Sequence, residues 1–202
     1  MVLYLQHDLD MDHIMSTFMA LANHFLVAMP TLNDIIYSQT VIYICEHHER
    51  GTVGMVVNRP TGYPATVMFE QLGITTVTDK AKQLPLLFGG PVQADRGFVI
   101  HRPTGQWQSS LSLVSDEVAI TTSNDIVRSI AQDEGPKDVL IVMGYVGWDK
   151  KELEREIIKN NTWMVCPYKS EILYEVPYAE RWKAAAQTLG VNVDNLTGSG
   201  HA

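Results

Sequence analysis

Apolar runs predict a series of β-strands along the first half of the chain. The segments FLVAM (25–29), QTVIYICE (39–46) and TVGMVVN (52–58) are rich in β-branched and aromatic residues, which favour strands. The polar stretch HHERG (47–51) lies between the second and third segments. These two segments are therefore predicted to form a β-hairpin.

Further strands are predicted beyond residue 80. The uninterrupted run VLIVM (139–143) has no polar position and is typical of a central strand that is buried on both faces. The other predicted strands are LPLLF (84–88), GFVIH (97–101), EVAIT (117–121), TWMVC (162–166) and EILYE (171–175).

Helices are predicted where apolar residues recur every three or four positions and capping signals follow. Ile14, Phe18, Leu21 and Phe25 share one helical face, which places a short helix from about residue 13. Asp149 and Glu152 fit a capping box for a helix that runs to about residue 160. The remaining predicted helices are 64–72, ended by Gly73, 124–133, capped by Ser123, and one from Pro177 to Gly190.

This mixture of strands and helices predicts an α+β fold with a mixed, largely antiparallel sheet. A chain of 202 residues fits one domain and can bury about 70% of its unfolded surface without disulfides. We expect a loose leader at 1–12, a single domain at 13–196 and a disordered tail at 197–202.

The composition excludes several classes of protein. A formal net charge of −8 repels polyanions, so direct nucleic-acid binding is disfavoured. No apolar run reaches the roughly 20 residues of a membrane-spanning helix, and no Lys or Arg precedes Arg50, so we expect neither membrane insertion nor an export signal. Cys45 and Cys166 lie in no paired motif, which indicates reduced core thiols and a cytoplasmic protein.

One nine-residue pattern occurs twice, as GMVVNRPTG (54–62) and GFVIHRPTG (97–105). A residue before proline favours an extended conformation, so Arg59 and Arg102 are each predicted at a strand end before a Pro-Thr-Gly turn. Asn58 and His101 occupy the same position in the two copies. If the strands lie side by side, the two guanidinium groups converge.

Arginine suits carboxylate or phosphate, so these turns form a candidate small-anion site, with Arg96 nearby. The alternative is that the arginines pair with acidic neighbours on a solvated surface. Gly89 and Gly90 could add a backbone cradle for an anion, or could simply permit a turn.

Catalytic and metal motifs are absent from the sequence. Glu46-His47-His48-Glu49 contains metal-ligand types, but no second cluster completes a site, so we expect no metal and no cofactor. His101 could act as an acid or base, or could be a hydrogen-bonded structural histidine. Tyr145 and Trp148 are predicted on a Gly-flanked turn, where they either line a pocket or fill the core.

Several segments together resemble the YqgE/AlgH family of bacterial proteins. The resemblance covers about residues 20 to 190 and implies a compact α+β domain whose sheet bifurcates into a pseudo-barrel with helices outside. Family members have no established reaction and are often labelled transcriptional regulators. The matching segments are NHFLVAMP (23–30), VIYICEH (41–47), GTVGMVVNRP (51–60), FGGPVQADRGFVIH (88–101) and GYVGWDKKELEREIIKNNTWMV (144–165).

Three functional hypotheses follow. The first is a non-enzymatic cytoplasmic protein, regulatory or otherwise, that contacts a protein partner or a small anion. The second is an enzyme with His101 as acid or base and Arg59 or Arg102 as a clamp for an anionic substrate. The third is direct DNA binding, which the charge and the missing helix-turn-helix disfavour. The oligomeric state is left open. Candidate binding residues are Asn58, Arg59, Gly89, Gly90, Arg96, His101, Arg102, Tyr145 and Trp148.

Overall fold

The computed structural model describes residues 21–112 and 117–193, which contain ten strands and six helices. The strands are β1 (His24–Ala28), β2 (Val41–His48), β3 (Gly51–Val56), β4 (Pro60–Pro64), β5 (Pro85–Phe88), β6 (Val92–Arg102), β7 (Ser110–Ser112), β8 (Ala119–Thr121), β9 (Asp138–Asp149) and β10 (Trp163–Pro167). The helices are α1 (Thr66–Gln71), α2 (Asp79–Lys82), α3 (Asn124–Ala131), α4 (Glu152–Ile158), α5 (Ser170–Tyr174) and α6 (Arg181–Thr188).

The strands form one mixed sheet that divides at β9. The main path is β10-β1-β2-β3-β9-β6-β8-β7, which is open at both ends. The first half of β9 pairs with β6 and, in parallel, with β5, whereas its second half pairs with β3. The other described pairings are antiparallel. The predicted α+β class with a bifurcating, largely antiparallel sheet is confirmed.

Glycines allow the β5–β6 connection to lie directly against β9 where the sheet divides. The Gly89 N–H donates to the Met143 carbonyl (2.8 Å), and the Gly89 carbonyl accepts from Val56 N–H (2.8 Å). A Cβ atom on Gly89 would lie 2.3 Å from the Gly144 carbonyl oxygen, and Gly144 itself has φ +72°. This crossing tolerates no side chain on Gly89.

Apolar side chains form two cores, on opposite faces of the sheet at β9. Leu140 and Val142 belong to the larger cluster, which packs against α5 and α6, while Ile141 belongs to the smaller one under α1 to α3. Successive strand residues face opposite sides, so the two clusters cover the two faces of β9. The prediction that VLIVM is a strand covered on both faces is therefore confirmed.

Several predicted elements differ from the structure. Residues 171–174 of the strand predicted at 171–175 lie in helix α5, and residues 144–149, predicted to contain a turn, continue β9. The last helix begins at Arg181 rather than near Pro177. The predicted leader at 1–12, most of the helix from residue 13 and the tail at 197–202 lie outside the described residues. None of the described helices is long and apolar enough to span a membrane.

Candidate functional site

Asn58 and Arg59 hold the β1–β2 loop, which comprises residues 29–40. The Asn58 side chain accepts from Val41 N–H and donates to the Gln39 carbonyl, both at 2.9 Å. Arg59 donates through Nη2 to the Ser38 carbonyl. The two side chains therefore have a structural role in fixing this loop.

Arg102 makes its contacts with β9 and α5. Its Nε donates to Asp138 Oδ2 at 2.7 Å, its Nη2 lies 3.7 Å from Glu175 Oε1, and its guanidinium lies over the Tyr174 ring at 4.8 Å. Hydrogen bonding to Asp138 is the main reason that the pKa of Arg102 is raised. This arginine is already neutralised by carboxylates.

The two arginines do not converge. Arg59 lies beside Phe88 of β5, which pairs through Met143 of β9 with Gly97 of β6. The strands next to the two arginines, β3 and β6, pair with β9 from either side and not with each other. The condition for converging guanidinium groups, two strands side by side, is therefore not met, and the alternative of pairing with acidic neighbours describes Arg102.

The repeated sequence also takes two different conformations. Pro60, Thr61 and Gly62 lie in strand β4, whereas the second Pro-Thr-Gly follows the end of β6, after a cis Arg102–Pro103 bond. The predicted turn after Arg59 is thus wrong. Pairing of β4 with β5 overrides the local turn preference.

His101 is fully buried, and both ring nitrogens have partners. Its Nδ1 lies 3.0 Å from the Pro103 carbonyl, which can only accept, so Nδ1 carries the proton. Its Nε2 then accepts from the Thr121 hydroxyl (2.8 Å), whose oxygen accepts from Ser110 (2.5 Å). Burial lowers the pKa of His101 and favours the neutral ring. These contacts are those of a structural histidine.

Gly89 and Gly90 are buried in the crossing against β9. The Gly89 amide is used by Met143, and a Cβ on Gly90 would lie 2.2 Å from the Tyr145 carbonyl. The Gly89 amide is therefore already used within the fold, and the alternative, a connection that needs glycine, describes both residues.

Arg96 and Tyr145 both contact the Phe98 ring. The Arg96 guanidinium lies 5.4 Å from the Phe98 ring centre, and Tyr145 packs edge-on to the same ring at 6.0 Å. Arg96 also donates to Gln93. Tyr145 lies within β9 rather than on the predicted turn.

Trp148, also within β9, lies at a cleft formed by the β1–β2 loop, the end of β9, α4 and β10. We call this cleft of about 270 Å³ the indole pocket, defined by Asp34, Tyr37, Trp148, Glu152, Glu156 and Trp163. Trp163 packs edge-on to both Trp148 (6.3 Å) and Tyr37 (5.9 Å). Both proposed roles for Trp148 therefore apply, because its ring is largely buried and also contributes to a pocket wall.

Glu156 links the two indoles. Its Oε2 accepts from Trp163 Nε1 at 2.7 Å and from Trp148 Nε1 at 3.1 Å. Two N–H donors on one oxygen hold the carboxylate in a fixed position. The pocket therefore contains an anionic group in a defined position.

The other two carboxylates are also held by backbone donors. Glu152 Oε2 accepts from Asp149 N–H at 2.7 Å, which is one half of the predicted capping box. Asp34 Oδ1 accepts from Ile36 N–H and Tyr37 N–H, both at 2.8 Å. Each carboxylate is thereby fixed at the pocket wall.

The indole pocket has a negative electrostatic character. The other described residues that line it are uncharged, so none of them is a Lys, Arg or His that offsets the three carboxylates. Burial raises the pKa of Tyr37, and Asp34 and Glu156 raise it further. Among the residues that the structure describes, no group of three or more His, Cys, Asp or Glu side chains could hold a metal ion. The lining thus combines three carboxylates with the rings of Tyr37, Trp148 and Trp163.

Two other clefts have different chemistry. One of about 250 Å³ includes Lys80 and Asp133, which neutralise each other at 2.6 Å. Another of about 390 Å³ lies between β2–β3 and β6–β8 and has Met55, Phe98 and Ile120 in its wall. His101, Arg59 and Arg102 line none of the three clefts.

The described residues thus define a single α+β domain with a divided sheet and an acidic, aromatic pocket. The family model described as DUF179, AlgH-like, matches residues 25–194. The chain therefore belongs to the AlgH-like family. A UPF0301 protein of Legionella pneumophila (strain Corby) is 57% identical over 93% of this chain and 100% of its own length. A UPF0301 protein of Nitrosococcus oceani is 42% identical over the same shares.

Solved structures are similar over most of the chain. The solution structure of the AlgH protein from Pseudomonas aeruginosa is 42% identical, covers 90% of this chain and 96% of its own, and has a TM-score of 0.73. A crystal structure of a Corynebacterium diphtheriae protein has a TM-score of 0.62 over 82% of this chain and 85% of its own. At 19% identity, the second shows the fold alone.

Of the six residues that define the indole pocket, the sequence pointed only to Trp148 as a possible pocket residue. Glu152 and Glu156 are four residues apart on α4, a spacing that places them on one face of the helix. This spacing could have indicated, from the sequence, two carboxylates side by side. Asp34, Tyr37 and Trp163 carry no local signal, because the β1–β2 loop and β10 meet α4 only in the folded sheet.

Proposed function

We propose that this protein acts by binding rather than by catalysis, and that the indole pocket receives a positively charged organic group, an alkylammonium or a guanidinium. The observation that carries the proposal is Glu156, a carboxylate fixed by two indole N–H groups in a pocket with two further carboxylates. A charge-assisted hydrogen bond to a fixed carboxylate is stronger than one between neutral groups.

The aromatic walls favour an organic cation over a hydrated inorganic one. Tyr37, Trp148 and Trp163 offer apolar surface to the methylene groups of an amine. A cation over the face of an aromatic ring gains about 0.5 to 1 kcal/mol at an exposed site and about 2 kcal/mol when it is desolvated. The ligand class is thus a cation with an alkyl stem.

Within this proposal the protein is cytoplasmic. Any role in gene regulation is indirect and depends on a bound partner or ligand. The described residues include two free, buried thiols, Cys45 and Cys166, as is usual in a reducing compartment. Three carboxylates at the pocket repel the phosphates of nucleic acid. The enzymatic alternative gains no support from His101, whose two nitrogens are both engaged.

Calorimetric titration tests the proposal with two probes, Nα-acetyl-lysine methylamide and Nα-acetyl-norleucine methylamide, whose side chain has the same four carbons and lacks the terminal ammonium. The lysine probe is expected to bind and the norleucine probe to bind at least about tenfold more weakly. Binding should weaken as salt is added, because the attraction is partly screened. Equal binding of both probes, or binding of neither, contradicts the proposal.

Glu156→Gln locates the binding site. Glutamine retains an oxygen that can accept from the indoles but removes the charge, so affinity for the lysine probe is expected to fall by about tenfold. Glu171→Gln, an exposed carboxylate on α5, is the matched control and should leave affinity unchanged. Unfolding curves of both variants establish that the fold is retained.

A further inference from the structure

We infer that the cation bound by the indole pocket is a lysine or arginine side chain of a second protein, and that an apolar residue beside it packs on Ile35 and Ile36. This inference rests on the proposed function. Ile35 is 95% exposed and Ile36 is 40% exposed, both in the β1–β2 loop. The same loop supplies Asp34 and Tyr37 to the pocket.

The exposed isoleucines are held in place. Asp34 accepts from Ile36 N–H and Tyr37 N–H through its side chain, and its carbonyl accepts from Ser38 N–H at 3.1 Å. Arg59 donates to the Ser38 carbonyl, and Asn58 donates to the Gln39 carbonyl. A partner that covers this loop therefore meets a preorganised surface and loses less conformational entropy on binding.

The arrangement favours a polypeptide over a free amine. Ile35 follows Asp34 directly, and consecutive Cα atoms are about 3.8 Å apart, so charge and apolar surface lie within the reach of neighbouring side chains on one chain. A small amine that fills the pocket leaves Ile35 in solvent. A basic residue with an apolar neighbour covers both features, and its charge is complementary to the three carboxylates.

Charge also argues against other occupants. An anionic lipid surface is repelled by Asp34, Glu152 and Glu156, and by the net charge of −8. A second copy of this chain carries the same net charge, which disfavours self-association through this surface. The complementary partner is therefore a basic segment of another protein.

Calorimetry with short acetylated, amidated peptides tests the inference. One set places leucine one or two residues after lysine, a second replaces the leucine with serine, and a third replaces the lysine with norleucine. The lysine–leucine peptides are expected to bind at least about fivefold more tightly than the lysine–serine peptides. The norleucine peptides should lose at least about tenfold in affinity.

The double variant Ile35→Ser/Ile36→Ser should bind the lysine–leucine and lysine–serine peptides with equal affinity. We call the tighter binding of the lysine–leucine peptides by the wild type the leucine advantage. Val92→Ser, which removes a 38%-exposed aliphatic side chain from β6, is the matched control and should keep the advantage. Lysine peptides that bind without any leucine advantage overturn this inference and leave the proposed function standing. Failure of every lysine peptide and of the lysine probe overturns both.

Sedimentation velocity of the protein alone tests whether a second copy of the chain binds the β1–β2 loop. A monomer, or an oligomer that the double variant leaves intact, agrees with a heterologous partner. An oligomer of the wild type that dissociates in Ile35→Ser/Ile36→Ser but not in Val92→Ser assigns the loop to a second copy of the chain and overturns the inference.

Discussion

At the scale of single residues, His101 shows how burial decides what chemistry a side chain can offer. Its ring donates to the Pro103 carbonyl and accepts from Thr121, and burial lowers its pKa from the ordinary value of 6.5. A protonated ring would lose the hydrogen bond from Thr121 and carry charge into the core. The neutral ring is therefore part of the stability of the β6–β8 pair.

His101 is expected to make stability depend on pH. A depressed pKa in the folded state means that the unfolded chain binds the proton first, so this stabilisation is complete above pH 6.5 and is lost as the pH falls towards the folded-state pKa. His101→Gln should reduce the difference between the free energies of unfolding measured in urea at about pH 7.5 and about pH 5.5.

His48→Gln, in the exposed β2–β3 hairpin, is the control and should retain the wild-type difference. An unchanged pH dependence in His101→Gln would show that another group causes it.

The sequence alone could locate His101 and Trp148 as residues of interest, but not their surroundings. His101 is of interest in the sequence because the equivalent position in the other copy of the repeat is Asn58. The repeat does not reveal its hydrogen-bond partner Thr121, which lies on another strand. The indole pocket depends on Trp163 of β10 and on Asp34 of the β1–β2 loop, which lie far from Trp148 in the sequence and meet it only in the folded domain. Local patterns carry no information on such long-range packing.

At the scale of elements, the crossing of the β5–β6 connection over β9 allows one strand to serve both parts of the sheet. Gly89 and Gly144 pack backbone against backbone there, and a Cβ on Gly89 would also lie 2.3 Å from Val142 Cγ1. Rigid strands on both sides leave little room for relaxation.

Gly89→Ala is expected to lower the free energy of unfolding by about 3 kcal/mol, because the added methyl group overpacks the crossing. Gly147→Ala, on the same β9, is the matched control, since its Cβ would lie 3.6 Å from the Tyr145 ring, an ordinary contact. Chemical denaturation of both variants measures the difference. Equal stability of the two would show that the crossing can relax.

Apolar runs predicted most strands correctly because burial between other strands requires such runs. The extension of β9 through GYVGWD was missed because glycines usually favour a turn, whereas here Gly144 allows the crossing and sheet pairing continues beyond it. Residues 171–175 were assigned to a strand, although a five-residue segment is too short to reveal a period. Adjacent burial of Ile172 and Leu173 in α5 reflects packing of the helix on the core.

At the scale of the whole molecule, the negative charge determines which partners can approach. The formal net charge is −8, and the indole pocket adds a local concentration of carboxylates. Association with another acidic surface is slowed, and association with a basic one is accelerated.

Direct DNA binding is expected to be absent. Fluorescence anisotropy with random and genomic duplexes should show no binding even at low salt, where contacts to phosphates are strongest. Binding at low salt that decreases steeply as salt is added would contradict this expectation. A basic DNA-binding domain titrated in the same buffers serves as the positive control.

The position of β9 along the chain has a consequence for synthesis on the ribosome. Domains fold as the polypeptide emerges from its N-terminus. The strands β3, β5 and β6 all appear before Asp138, yet each needs β9 as a neighbour. Until that strand leaves the exit tunnel, the nascent chain exposes unpaired strand edges, which are prone to aggregation. A pause in translation just before β9 would therefore prolong the stage at which the nascent chain exposes these edges.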